Sequence, residues 1–216
     1  MALRAVVFDL DYTLAVVSRD RSTLLAEASE TVGVPTVSRE TYGEAHQRAH
    51  AHETRGPIFA DLLEEGDGEA LAEAYRNAIA ANLEPIGGAE SLVRTLEERY
   101  AVGLLTNGPV VAQRDKLRTL GWEGLFDAAV ITGELKRGKP HPEAFEAILG
   151  ALEVSPEEAV YVGDSVETDI AGAAGIGMAV VQVLYPGGPD PDPRANAHVE
   201  RETIVEDLPD LITQFD

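Results

Sequence analysis

Residues 3–13 read LRAVVFDLDYT, an apolar run that ends in two aspartates, Asp9 and Asp11. Short runs of valine, leucine and phenylalanine are typical of buried β-strands, so a strand is predicted over 3–8. The two aspartates then lie where this strand ends and a turn begins. Neighbouring carboxylates repel each other unless a cation neutralises them, and hard oxygen ligands suit Mg²⁺. The stretch therefore predicts a metal site at a strand end.

Similar apolar runs recur along the chain, and each later one follows a segment with helical periodicity. The predicted strands are 3–8, 101–106, 128–132, 159–162 and 178–184, and the predicted helices are 88–99, 110–121, 141–152 and 168–175. This alternation predicts an α/β fold, a doubly wound (Rossmann-like) parallel sheet with helices on both faces. In such a sheet, catalytic groups collect at the carboxyl ends of the strands.

Residues 15–84 have a different character. They show no convincing strand pattern but several helical ones, for example Leu71, Ala74, Tyr75, Ala78 and Ile79. We therefore expect an inserted α-helical domain, called the cap below, over 15–84, while 1–14 and 85–216 form the core. Pro85 and Gly87-Gly88 mark the exit of the cap, and its two narrow connections can serve as hinges.

The chain is strongly acidic, with 38 acidic residues against 17 basic ones and a formal net charge of −21. Such a field repels nucleic acid, so we expect no nucleic-acid partner. Lysine is scarce: Lys116, Lys136 and Lys139 are the three in the chain. The acidic bias also suggests a halophilic protein, because acidic surfaces stay hydrated when molar salt screens their repulsion.

Other functional classes are excluded by composition. The chain has no cysteine, which removes disulfides, thiolate metal sites and a cysteine nucleophile. No stretch reaches the roughly 18 uninterrupted apolar residues of a membrane span, and the first residues do not read as a secretion signal. We therefore expect no membrane partner and a cytoplasmic location.

The ends of the later strands carry further polar groups. Thr106-Asn107-Gly108 follows one strand and Gly163-Asp164-Ser165 another, with Asp169 five positions after Asp164, while Lys139-Pro140 lies between them. Together with Asp9-Leu10-Asp11, these segments resemble, in order and spacing, the four motifs of the haloacid dehalogenase-like hydrolases. The segment 15–84 resembles the helical (C1-type) cap of that family, and 196–216 its last strand and helix.

The resemblance implies a Mg²⁺-dependent phosphatase that acts on a small phosphate ester through an aspartyl-phosphate. Asp9 is then the nucleophile, and Asp11 the acid and base, with a pKa near the working pH. Thr106, Asn107 and Gly108 would donate to the phosphoryl oxygens, and Lys139 would be a point charge beside them. The implied metal ligands are Asp9, the Asp11 carbonyl and Asp164, with Asp169 in a more distant or water-mediated role.

The cap carries several basic residues in one short stretch: His46, Arg48, His50, His52 and Arg55. Each alone is as readily explained by a solvated helix face. Together, in so acidic a chain, they indicate a site for the anionic body of a substrate, with Arg48, His50 and Arg55 as binding candidates. His46 and His50 do not indicate zinc, because no acidic partner has the HExxH arrangement.

Several alternatives stay open. Asp11 argues against a dehalogenase, and the absence of lysine from residues 1–115 against the phosphonate-cleaving branch, which needs a cap lysine. A sugar phosphomutase of the β-phosphoglucomutase type shares both Asp11 and the helical cap, and a non-catalytic binding protein could keep the same fold. Neither the oligomeric state nor the substrate is predicted; phosphoglycolate, a nucleoside monophosphate and a sugar phosphate all suit a helical cap.

Overall fold

The structure, a computed structural model, describes residues 2–48 and 53–216, without the side chains of Gln47 and Arg48. Strands and helices alternate through most of the chain. The strands are β1 (Ala5–Phe8), β2 (Ala15–Val17), β3 (Leu83–Pro85), β4 (Ala101–Thr106), β5 (Ala128–Ile131), β6 (Ala159–Gly163), β7 (Ala179–Leu184) and β8 (Ala197–Glu200). The helices are α1 (Arg21–Val32), α2 (Arg39–Arg48), α3 (Gly56–Leu62), α4 (Gly68–Ala80), α5 (Ala89–Glu97), α6 (Val110–Leu120), α7 (Pro142–Ala151), α8 (Ala171–Gly175) and α9 (Ile204–Ile212).

Six of the strands form one parallel sheet in the order β5-β4-β1-β6-β7-β8. The strand order reverses beside β1, which lies between β4 and β6. In open α/β sheets, ligands bind outside the carboxyl ends of the strands at such a reversal. The predicted α/β fold with a doubly wound parallel sheet is confirmed.

Both faces of the sheet are buried, which explains why its strands are almost continuously apolar. Alternate residues of β1 point to opposite sides: Val6 and Phe8 pack in the layer that includes α5 and α9, whereas Ala5 and Val7 pack in the layer that includes α7. All four side chains are fully buried. Asp9 therefore leaves a strand that two hydrophobic layers hold rigidly in place.

The cap has a hydrophobic core of its own. Helices α1 to α4 pack around Leu24, Phe59, Leu71 and Tyr75, all buried, and none of these belongs to the clusters beside the sheet. The helix starts have side-chain caps where the sequence provides them, since Asp20 and Asp67 accept backbone N–H groups at the first turns of α1 and α4. The helical character predicted for 15–84 agrees with this packing, whereas its exact boundaries stay a prediction.

The expectation that 15–84 contains no strand is wrong at both ends. Val16 and Val17 in β2 pair in antiparallel fashion with Glu84 and Leu83 in β3, so the entry and exit of the cap form a two-stranded ribbon. Each strand is only three residues long, too short for a periodic pattern. The pairing depends on two ends of the insertion meeting in space, which no local sequence pattern reveals.

The cap also contacts the core directly. The Nε atom of Arg76 on α4 lies 2.8 Å from Oδ2 of Asp115 on α6, and the backbone N–H of Val111 donates to the carbonyl of Glu53 over 2.9 Å. The start of α6 therefore serves as a platform for the cap. None of the helices in the described part of the chain is long and apolar enough to cross a membrane.

Candidate active site

The polar groups predicted at strand ends converge at one edge of the sheet. Asp9 follows β1 and its N–H donates to the carbonyl of Val162 on β6, over 2.9 Å. Thr106 ends β4, and Asp164 directly follows β6. Because β4, β1 and β6 are adjacent and parallel, these side chains meet at the carboxyl edge.

Lys139 lies at the centre of this group. Its Nζ atom is 2.6 Å from Asp9 Oδ1, 2.7 Å from Asp169 Oδ1, 2.8 Å from the hydroxyl of Tyr161 and 3.0 Å from the carbonyl of Leu105. The side chain is 2% exposed. A buried ammonium needs this many oxygen partners, since desolvation of a charge is otherwise costly. Lys139 therefore fixes the rotation of the Asp9 carboxylate.

The backbone around Lys139 is held by Asn107. The amide nitrogen of Asn107 donates to the carbonyl of Lys139, and the Lys139 N–H donates to Asn107 Oδ1, both over 2.9 Å. A Cβ atom on Gly138 would lie 2.8 Å from Asn107 Oδ1, so glycine is needed for this close approach. The side chain of Asn107 thus positions Lys139. The backbone amide of Asn107 remains available for the predicted contact with the phosphoryl group.

Burial and the charges of neighbouring groups shift the pKa values of Asp9, Asp164 and Lys139. Burial raises the pKa of Asp9 well above its usual range, against the opposing charge of Lys139. Burial and the carboxylate of Asp169 raise the pKa of Asp164 to about 7. Burial alone would lower the pKa of Lys139, but the carboxylates of Asp169 and Asp9 outweigh it and raise that pKa. Such a concentration of negative charge is stabilised by an added cation.

Asp9, Asp164 and Asp169 offer carboxylate oxygens that all lie within 4.8 Å of one another. Among the described residues, no hydrogen bond reaches Asp9 Oδ2 or Asp164 Oδ1, whereas Asp164 Oδ2 accepts from the hydroxyl of Tyr185 over 3.1 Å. Hard anionic oxygens of this kind fit a divalent ion such as Mg²⁺. The acidic triad could therefore hold a metal ion, with one open oxygen each from Asp9 and Asp164.

Asp169 has no such open oxygen. Its Oδ1 accepts from Lys139 and from the hydroxyl of Tyr161, and its Oδ2 accepts the N–H of Ser165 over 3.0 Å. A Cβ atom on Gly163 would lie 2.7 Å from Asp169 Oδ2, so the carboxylate is tucked against a position that only glycine can occupy. This geometry favours the more distant role that the sequence predicts for Asp169.

The carboxylate of Asp11 turns away from the triad. Lys116 Nζ lies 2.8 and 2.5 Å from its two oxygens, Arg21 Nη2 donates to Oδ1 over 2.7 Å, and Gln113 Nε2 donates to Oδ2 over 3.1 Å. Only the backbone carbonyl of Asp11 therefore remains as its predicted metal ligand. Lys116 and Gln113 lie on α6 in the core, while Arg21 is on α1 of the cap. The carboxylate of Asp11 thus forms ion pairs with both the core and the cap.

This environment differs from the expectation that the pKa of Asp11 lies near the working pH. Burial alone would raise the pKa of Asp11, but the ammonium of Lys116 and the guanidinium of Arg21 outweigh it and hold the pKa well below its usual range. Asp11 is therefore ionised in this arrangement. An ionised carboxylate can accept a proton from water, whereas it must first gain one before it can donate to a leaving group.

Sequence analysis did not identify Lys116, Gln113 or Arg21 as site residues. For Lys116 a signal existed, because it is one of only three lysines in a strongly acidic chain. Gln113 lies three positions earlier, on the same helix face. Arg21 had no comparable signal. Tyr161 and Tyr185 were also missed, since a tyrosine in or after an apolar strand is ordinarily read as core.

The comparisons with known proteins agree with this geometry. The family model of the haloacid dehalogenase-like hydrolases matches residues 3–177. This range is most of the chain and includes the strand ends described above. The chain belongs to this family. The suspected resemblance is thus confirmed, and the motifs that support it are the groups assembled around Lys139.

Curated relatives are phosphatases. A glyceraldehyde 3-phosphate phosphatase of Pyrococcus furiosus is 31% identical over 85% of this chain and 81% of its own length. A phosphoserine phosphatase of Thermus thermophilus is 36% identical over 70% of this chain and 64% of its own. The enzyme is therefore a phosphoric monoester hydrolase, as predicted. Among solved structures, a HAD phosphatase from Thermococcus onnurineus has the same fold, with a TM-score of 0.68 at 24% identity over 95% of this chain and 98% of that one.

A cavity of about 1000 Å³ connects the cap with the strand ends. Arg39, His46 and Ile58 line it from the cap, and Asn107, Gly108, Lys139 and Ser165 are among its core residues. Its size is that of a small-molecule site. The exposed Lys136 also lines it, at the loop that precedes Lys139.

Two of the predicted phosphate donors already have partners in this arrangement. The hydroxyl of Thr106, which is buried, accepts from Gln113 Nε2 over 2.6 Å, and the N–H of Gly108 donates to the hydroxyl of Thr132 over a long 3.3 Å. A hydroxyl that accepts one hydrogen bond keeps its own proton for donation. Thr106 can therefore still serve the phosphate as predicted.

The cap candidates have separate outcomes. Arg55 is buried and donates from Nε to the hydroxyl of Tyr42 over 2.8 Å, with its guanidinium 5.6 Å from the ring centre of Tyr75. His46 lines the cavity and stacks on Tyr42. The side chain of Arg48, together with His50 and His52, lies outside the described residues, so their predicted roles stay predictions.

Proposed function

We propose that this hydrolase is a Mg²⁺-dependent phosphatase that cleaves a small phosphomonoester through an aspartyl-phosphate on Asp9. The observation that carries the proposal is the contact of Lys139, which lines a cavity shared with the cap, with both Asp9 and Asp169. A nucleophile held by a buried cation that itself lines a substrate-sized space is an arrangement suited to phosphoryl transfer.

In the first step, a carboxylate oxygen of Asp9 attacks phosphorus, the bond from phosphorus to the ester oxygen breaks, and the leaving alcohol takes its proton from the protonated form of Asp11. Lys139 holds the nucleophile and offsets the negative charge of the phosphoryl group. The hydroxyl of Thr106 and the backbone amide of Asn107 would donate to the phosphoryl oxygens. A Mg²⁺ ion held by Asp9, the Asp11 carbonyl and Asp164 would supply further neutralisation of that charge.

In the second step, water attacks the phosphorus of the aspartyl-phosphate, its proton passes to the Asp11 carboxylate, and inorganic phosphate leaves while Asp9 is restored. The ionised state of Asp11 suits this step directly. Proton donation in the first step is more demanding, because Lys116 and Arg21 favour the charged form of Asp11. The electrostatics therefore favour Asp11 as a base over Asp11 as an acid.

The deciding experiment is phosphate release from a panel of esters with and without Mg²⁺. The panel includes glyceraldehyde 3-phosphate and phosphoserine, after the relatives' activities, together with phosphoglycolate, a nucleoside monophosphate and a sugar phosphate. Release that depends on Mg²⁺ and disappears in Asp9→Asn supports the proposal. A phosphomutase would instead require a bisphosphate activator and release no phosphate, and a binding protein would show neither reaction.

The acidic composition supports two further parts of the proposal. The surplus of acidic over basic residues favours a halophilic protein, and the absence of cysteine is compatible with the cytoplasm. High internal salt would then screen the self-repulsion of the chain.

A further inference from the structure

Three cap residues form what we call the cap basic cluster: Arg39, His46 and Arg55. Tyr42 connects them, since its ring stacks on His46 at 5.6 Å, lies 5.7 Å from the guanidinium carbon of Arg39, and carries the hydroxyl that accepts from Arg55. His46 and Arg39 line the cavity that reaches Lys139. Arg39 and His46 therefore lie at the cap end of a cavity whose core end includes Lys139, and Arg55 is joined to them through Tyr42.

The cluster has positive charge without a matching carboxylate. Within the described residues, neither Arg39 nor Arg55 forms an ion pair, although Arg55 is only 7% exposed. The nearby carboxylate of Asp11 is already shared by Arg21 and Lys116. The side chains outside the description cannot supply the counter-charge, because Met1 and residues 47–52 include no aspartate or glutamate.

A second observation points to a missing ligand. Nδ1 of His46 is buried and has no hydrogen-bond partner among the described residues. Burial and the cations Arg55, Arg39, Lys116 and Arg21 lower the pKa of His46 to about 4, so the imidazole is neutral at physiological pH and can donate one hydrogen bond. A buried polar atom without a hydrogen-bond partner and a buried guanidinium without a paired carboxylate are costly unless a ligand completes them.

We propose that the cap basic cluster binds a carboxylate on the leaving alcohol, which makes the substrate a phosphomonoester of a small hydroxy acid. The proposal rests on the phosphatase function. A guanidinium presents a planar fork of N–H groups that matches the two oxygens of a carboxylate. Arg55 together with one neutral imidazole suits a planar monoanion, and Arg39 adds charge at the exposed rim.

The polarity of the cavity orients such a substrate. Its phosphate lies at the core end, beside Lys139, and its carboxylate at the cap end. The cap residues thereby contact the leaving alcohol, which is the part that distinguishes one phosphate ester from another.

The test compares two esters that differ at one carbon, 3-phosphoglycerate with a carboxylate and glycerol 3-phosphate with a hydroxymethyl group. We expect the wild-type kcat/KM to favour 3-phosphoglycerate by about tenfold to a hundredfold, the value of one or two hydrogen bonds to a charged group. Arg55→Met should lose this preference, so that the ratio of the two kcat/KM values falls toward one. Equal kcat/KM values for the two esters in the wild type, or an unchanged preference in Arg55→Met, overturn the proposal.

Matched variants separate charge from folding. Arg55→Lys keeps the charge and should retain part of the preference, whereas Arg19→Met removes an exposed cap arginine that pairs with Glu27 and should change nothing. If Arg55→Met does not fold, His46→Gln tests the same ratio at the cavity wall. A ratio unchanged in His46→Gln then contradicts the proposal.

Binding separates this proposal from the phosphatase function. Calorimetry with Asp9→Asn and Mg²⁺ should show tighter binding of 3-phosphoglycerate than of glycerol 3-phosphate. If 3-phosphoglycerate binds more tightly but the wild type hydrolyses no ester, the carboxylate site is supported and the phosphatase proposal is wrong. If the wild type hydrolyses both esters with equal kcat/KM, the phosphatase proposal is supported and the carboxylate site is wrong.

Discussion

The ammonium of Lys116 lies 2.8 and 2.5 Å from the two carboxylate oxygens of Asp11, although 105 positions separate them in the chain. The side chain of Lys116 is 4% exposed, and no other carboxylate among the described residues pairs with it. Lys116 therefore controls both the charge and the direction of the group proposed to handle protons. Because Lys116 lies on α6, the helix that contacts the cap, it joins this helix directly to Asp11.

Replacement of Lys116 tests this control. Lys116→Met should lower kcat for an alkyl phosphate by about 10²-fold, the lower limit of what positioned acid–base groups contribute. Lys116→Arg should recover part of the loss, because charge returns with imperfect geometry. Steady-state kinetics and melting curves measured together show whether the loss arises at the site or from unfolding.

Arg118→Gln is the matched control on the same helix. Arg118 is exposed and pairs with Asp115, away from Asp11, so its loss should leave kcat within about twofold, as is usual for exposed ion pairs. A fall in kcat as large as that of Lys116→Met would contradict a specific role for Lys116.

Asp9 and Asp11 are predicted to act in different steps. Asp9→Asn should abolish turnover, because it removes the nucleophile. Asp11→Asn should still phosphorylate Asp9 with nitrophenyl phosphate, since nitrophenolate leaves without a proton, but should hydrolyse the aspartyl-phosphate slowly. Rapid mixing should show a burst of nitrophenolate approaching one equivalent per enzyme. A slow phase without a burst, while Mg²⁺ still binds, would show that Asp11 does not separate the steps.

Metal removal tests the acidic triad. Excess EDTA should abolish activity, and Mg²⁺ should restore it. Asp164→Asn should raise the Mg²⁺ concentration needed for half-maximal activity by at least about tenfold, because it removes one anionic oxygen from the site. Calorimetric titration with Mg²⁺ measures the same loss without turnover. Asp210→Asn, an exposed aspartate on α9, should bind Mg²⁺ like the wild type; activity that persists in EDTA would overturn the metal assignment.

Two glycine substitutions should have opposite effects on stability. Gly163→Ala places a Cβ atom 2.7 Å from Asp169 Oδ2, so the carboxylate must move away from Lys139 and the unfolding free energy should fall by about 1–3 kcal/mol. Gly150→Ala, in α7 with open space around it, should raise that free energy by up to about 1 kcal/mol. Urea unfolding measures both. A neutral Gly163→Ala would mean that Asp169 is not held as tightly as the geometry indicates.

Salt dependence tests the halophilic interpretation. The melting temperature should rise as potassium chloride increases from about 0.1 to about 1 M, because the Debye length falls from about 10 Å to about 3 Å over this range and repulsion between acidic groups is screened. The cause is the net charge of −21, which repels itself in the compact state. Equal stability in dilute buffer and in molar salt would contradict this interpretation.

Much of the catalytic edge could be predicted from the sequence, for a physical reason. Strand propensity and apolar runs are local properties, and parallel topology brings successive strand ends to one edge. Asp9, Thr106 and Asp164 could therefore be placed together without coordinates. Lys139 could be included because the segment Lys139-Pro140 matches one of the family's motifs in order and spacing. The helical nature of the cap was equally local, since it depends on the spacing of apolar residues.

Other features depended on the tertiary structure because they join residues far apart in the chain. Only packing decided that Lys116 and Arg21 meet at Asp11 and hold its pKa low, opposite to the expected shift, since the sign depends on distances between side chains on different elements. The β2–β3 ribbon likewise required both ends of the cap to meet. The sequence by itself determined which chemical groups stand at the strand ends. The tertiary structure decided which charges surround them, and that no carboxylate in the described part of the chain pairs with Arg55.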